Sequence, residues 1–90
     1  MKKTMRVKEW LVNRIDEEAR GYNRMIDINK DREFGAPAIA DEDGCLTIYV
    51  EEIESESEKA YKCKLGAETM NGAVTTWSAW IAKSQIVEVL

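Results

Sequence analysis

Asn71-Gly72 stands between two runs in which apolar and polar side chains alternate, and it constrains this chain more than any other feature. Both residues tolerate the positive φ that a type I′ turn demands, so the dipeptide predicts a β-hairpin. On its near side Tyr61, Cys63, Leu65 and Ala67 alternate with Lys62, Lys64 and Glu68; on its far side residues 73–82 return. A two-residue turn sets Met70 opposite Ala73, and therefore Cys63 opposite Trp80, Leu65 opposite Ser78, Ala67 opposite Thr76 and Tyr61 opposite Ala82. That register sends Trp77, Ala79 and Ile81 to the second face of the hairpin, beside Lys62 and Lys64. An inserted bulge would exchange the faces beyond it.

Around this hairpin the rest of a small α+β domain can be laid out. Leu46, Ile48 and Val50 alternate with Thr47, Tyr49 and Glu51, which predicts a strand over 46–53 followed by the polar connection 54–58. Residues 86–90 supply a last short strand. Val7, Trp10, Leu11, Ile15, Ala19 and Tyr22 recur at three- and four-residue steps, the stripe of a helix over 5–20, with Thr4 as N-cap and Gly21 in the left-handed conformation at its end. Residues 27–45 hold the only proline and have no sustained period; they read as a long loop, with Met25, Ile26 and Ile28 forming a short strand or apolar anchor before it. The expected architecture is one domain over residues 1–90, an N-terminal helix packed on the apolar face of a three- to four-stranded antiparallel sheet.

Composition narrows the function classes. With 44% apolar and 33% charged residues the chain is an ordinary globular sequence. No run approaches the roughly 20 apolar residues that cross a bilayer, and the start carries no apolar signal core, so a cytoplasmic, non-membrane protein with Cys45 and Cys63 as free thiols is expected. The net charge of −4 is unevenly spread. Asp41, Glu42, Asp43, Glu51, Glu52, Glu54, Glu56 and Glu58 fall in a stretch without Lys or Arg, while both flanks are mildly basic. Such a ribbon repels a phosphate backbone and attracts a basic protein.

Catalytic and metal motifs are weak. The chain has no histidine, and its two cysteines form no C-x-x-C pair, so Ser-His, Cys-His and zinc chemistry have no basis. Glu51 and Glu52 are adjacent on a strand and point to opposite faces, so they make a poor acid–base pair. The five glycines are scattered and form no phosphate cradle. Asp27, Asn29 and Asp31 have the spacing that opens a calcium loop, yet Arg32 stands where that loop needs glycine and Ala38 where it needs glutamate. No enzyme, metal or cofactor is expected.

Trp80-Ile-Ala-Lys-Ser-Gln-Ile86 resembles the ending W-[I/V/L]-P-K-S-Q-[I/V] of small proteins encoded by phages and mobile elements, many of unassigned function. Ala82 stands where those sequences usually have proline. The resemblance covers about a tenth of the chain and implies a phage or prophage origin and a role acting on host machinery. Taken with the charge pattern, it gives the leading expectation: a non-enzymatic protein-binding module, an inhibitor that engages a basic nucleic-acid-binding host protein through the carboxylates of 41–58. A second expectation is a structural or assembly protein that self-associates as a homo-oligomer through a Trp77 and Ile81 face. A third is single-stranded nucleic-acid binding by Trp77 with Lys62 and Lys64.

Overall fold

The computed structural model describes residues 3–28 and 39–89. Most of the expected long loop, including Phe34, Asn29 and Asp31, lies outside the described residues. The elements are β1 (Lys3–Lys8), α1 (Glu9–Arg20), β2 (Arg24–Ile26), β3 (Cys45–Glu56), β4 (Ala60–Thr69), β5 (Val74–Ala82), a 3-10 turn (Lys83–Gln85) and β6 (Ile86–Val89). Over the described residues the fold is α+β with one helix near the N-terminus and an antiparallel sheet, as expected, but the sheet has six strands. The two that sequence reading missed or left open are β1 and β2.

β1 was hidden inside the helical stripe. Met5 and Val7 alternate with Thr4, Arg6 and Lys8, and both apolar side chains are fully buried. A six-residue segment satisfies either period, and here two flanking strands decide it: β1 pairs antiparallel with β3 on one edge and with β6 on the other. The helix therefore begins at Glu9, behind Lys8 rather than Thr4, and without a side-chain cap. Leu11, Val12, Ile15 and Ala19 are its buried stripe, packed mainly on β2, whereas Trp10 and Tyr22 face solvent. Gly21 closes the helix in right-handed geometry; the left-handed residue is Asn23, with φ 64°. Asp16 ties helix to sheet, its carboxylate accepting from the Ile26 backbone N–H at 3.1 Å and from Arg20 Nε at 2.9 Å.

The main sheet runs β6-β1-β3-β4-β5. β2 lies beside Ala67–Thr69 of β4, along the edge that β3 leaves after Val50 pairs with Leu65. Two one-residue register jumps in β3, between Val50 and Glu52 and between Ile53 and Ser55, bend that strand. β5 and β6, at opposite ends of the sheet, are joined by only three residues, so the sheet coils until its two ends approach at the 3-10 turn. Met5, Val7, Leu46, Ile48, Val50, Leu65 and Ile81 fill the core between the coiled sheet and α1.

The hairpin of β4 and β5 forms, one residue out of the expected register. Cys63 faces Ala79, Leu65 faces Trp77 and Tyr61 faces Ile81. The connection is a three-residue loop: Gly72 N–H donates to Thr69 C=O at 2.9 Å, Thr69 N–H donates to Ala73 C=O at 2.8 Å, and Gly72 alone takes positive φ, at 85°. This is a type I turn followed by a bulge at glycine. The two-residue turn would have placed Ser78 and Thr76 against the core and left Ile81 in water. Shifting by one residue buries Ile81 and packs Trp77 and Ala79 on the core, and that burial selects the register.

Candidate functional site

The exchange of faces dissolves one expected surface. Ile81 is fully buried and Trp77 packs against the core, so neither belongs to an outer apolar face. Lys62 and Lys64 lie opposite Trp80 and Ser78 instead. Trp77 is approached from the core side by the Tyr22 ring, centroids 5.4 Å apart, and by the Arg24 guanidinium, 5.7 Å from its ring centroid. The grouping of Trp77 with Lys62 and Lys64 as a base-stacking platform is therefore not formed.

The eight carboxylates divide into two groups. Asp41 and Asp43 sit in the turn before β3 and are consumed by Arg6, which also reaches Glu88 Oε1 at 3.0 Å. Asp41 Oδ2 accepts from Arg6 Nε at 2.9 Å, and its Oδ1 accepts from the backbone of Asp43 and Cys45. The hydrogen bond from Arg6 holds the Asp41 carboxyl below the usual carboxylate range, and the carboxylates hold Arg6 charged. Glu42 is exposed beside them. The other five line the β3–β4 hairpin among Lys59, Lys62, Lys64 and Lys83. Glu52 faces Lys64 across the ladder, Glu56 pairs with Lys83, and Glu54 Oε1 accepts from the Ser78 hydroxyl. Glu51 is half-buried, and Glu58 is exposed at the tip. A charge block that is continuous in sequence becomes a mixed surface in space.

The feature that composition alone underrated is β5. Among the described residues it has one hydrogen-bonded neighbour, β4, over nine residues with no register shift. The bonds Thr69 N–H to Ala73 C=O and Lys83 N–H to Lys59 C=O fix which residues point at β4. In an antiparallel ladder these alternate, so the N–H and C=O of Val74, Thr76, Ser78, Trp80 and Ala82 point away from β4. Only the Thr76 carbonyl has a partner among the described residues, Arg24 Nη1 at 3.0 Å. The side chains of this row stand on the outer face, where Val74 is 90% and Trp80 51% exposed.

Among the described residues the one guard at the β5 edge is Arg24, bonded to the Thr76 carbonyl. Between Val74 and Ala82 there is no charged residue, no proline and no bulge. The opposite edge differs: β6 has four residues, and its Glu88 is tied to Arg6. The absence of charge over 74–82 was visible in the sequence, but which strand lay at the end of the sheet was not.

Among the described residues no three His, Cys, Asp or Glu side chains group to hold a metal, and no helix is long and apolar enough to cross a membrane. Cys45 and Cys63 are free and buried. Burial, with a smaller contribution from the Glu54 carboxylate, pushes the Cys63 thiol up to about 11. Comparison with protein families, curated proteins and solved structures finds no match.

Proposed function

We propose that this chain is a non-enzymatic protein-binding module that takes an extended segment onto the outer edge of β5. The observation that carries the reading is the uncharged, regular row of outward N–H and C=O groups from Val74 to Ala82. An added strand bonds to such a row through its main chain, and its alternate side chains lie beside Val74 and Trp80. Main-chain pairing supplies affinity; the two exposed apolar side chains supply preference for an uncharged segment.

The alternative, an acidic surface that occupies the basic groove of a nucleic-acid-binding protein, rests on the hairpin glutamates alone once Asp41 and Asp43 are committed to Arg6. Those glutamates are interleaved with lysines, which weakens their joint field. We therefore favour the edge.

Two variants separate the readings in capture from source-cell lysate. Ser78→Lys places a charge on the outer row without touching the core, and it should lower capture of a partner about tenfold or more. Glu52→Lys combined with Glu58→Lys should leave capture within about twofold. The reverse pattern would transfer the function to the acidic hairpin.

A further inference from the structure

We propose that β5 pairs with β5 of a second copy of this chain, antiparallel about a two-fold axis at Trp77, to make one continuous sheet. The inference rests on the strand-addition reading and names its occupant. Hydrogen-bond parity restricts how two copies can meet. Only even-numbered residues of β5 present outward groups, so even residues must face even residues across the axis. Three central registers satisfy this, with the axis at Trp77, Ser78 or Ala79.

Apolar exposure chooses among them. With the axis at Trp77, Val74 faces Trp80 of the second copy and Thr76 faces Ser78, and each pair occurs twice. The two exposed apolar side chains of the strand, Val74 and Trp80, then cover one another. Extending each row by one strand adds the β4 neighbours, which are Lys62 beside Trp80 and Glu68 beside Val74. Each such row thus runs Lys62, Trp80, Val74, Glu68 across the two copies, and its end charges, about 14 Å apart, contribute little. With the axis at Ser78, Val74 faces Ala82 and Trp80 faces Thr76; with the axis at Ala79, Trp80 faces Ser78 and Val74 has no partner within β5. Only the first register sets the two exposed apolar side chains against one another.

Two terms oppose pairing. Each copy carries −4, and the two Arg24 groups lie beside the axis, each already donating to a Thr76 carbonyl that the second copy's Ser78 N–H must share. One strand pair also buries less than the roughly 1,200 Å² of a standard stable interface, so the dimer is weak and its population follows concentration. Added salt should screen both repulsions and tighten the pairing, the reverse of an association held by charge.

The test is sedimentation equilibrium of the full chain between about 1 μM and about 1 mM. The mean mass should climb from 10.3 kDa toward twice that value, and further at higher salt. Ser78→Lys and Trp80→Lys should each weaken the self-association about tenfold or more while leaving the melting transition in place. Mixing Thr76→Cys chains with Ser78→Cys chains under mild oxidation should give a mixed disulfide dimer, because those positions are directly opposed; Ser78→Cys alone should give far less. A dimer indifferent to both lysine variants, loosened by salt, or cross-linked chiefly through Ser78→Cys alone overturns the proposal. A chain that stays monomeric at every concentration overturns the second-copy inference. In that case, capture of another protein that is lost in Ser78→Lys leaves the strand-addition reading standing, and capture indifferent to Ser78→Lys removes both.

Discussion

Ile81 and Trp80 are adjacent in the chain and have opposite environments, one fully buried and the other half exposed on the outer face. A hydrophobicity scale ranks both as core residues, and the alternating pattern assigns them to different faces without saying which is inside. The turn makes that choice, through one extra residue at Gly72, whose positive φ costs glycine nothing. Replacing Ile81 by alanine should cost about 3 kcal/mol in urea unfolding, while Trp80→Ala should cost less than about 1 kcal/mol. Comparable losses would return Trp80 to the core and restore the two-residue turn. Asn71-Gly72 announced a hairpin correctly and its register incorrectly, since the dipeptide fits a type I′ turn as well as the second half of a type I turn with its bulge. Arg6 was equally illegible: its partners Asp41, Asp43 and Glu88 are 35 to 82 residues away, and no local pattern encodes that separation.

Elements were legible where their period was long enough to be unambiguous. The 12 residues of α1 and of β3 carry their own signal; the six of β1 did not, because Met5 and Val7 fit a stripe as well as an alternation. The 3-10 turn after β5 gives most side chains of residues 81–85 a structural role. Ile81 is core, Lys83 pairs with Glu56 and lies over the Tyr61 ring, and Gln85 Oε1 accepts from the Trp10 indole N–H at 3.0 Å. Gln85 also donates to the Ser84 hydroxyl. Ala82 has φ −62° and an N–H directed away from β4, which are the two conditions proline requires. Ala82→Pro should therefore raise stability by about 0.5 kcal/mol, read as a higher denaturation midpoint. A loss of more than about 1 kcal/mol would mean that this N–H is bonded in the folded protein.

At the scale of the whole molecule, coiling of the sheet mixes charges that the sequence keeps apart and brings the two ends of the sheet to one corner. β6 is short and pinned by Arg6, which leaves β5 as the long, regular and uncharged end. Its exposure follows from strand order, and strand order depends on pairings between residues far apart in the chain. The central claim is that the outward row of β5 is open in the isolated chain and covered on binding. Amide hydrogen exchange of dilute protein, resolved by residue, tests it most directly. Thr76, Ser78 and Trp80 should exchange much faster than Trp77, Ala79 and Ile81, whose amides bond to β4, and should slow as the protein is concentrated. Equal protection of both rows in the dilute monomer would mean that the edge is already occupied within one chain, and would contradict the account.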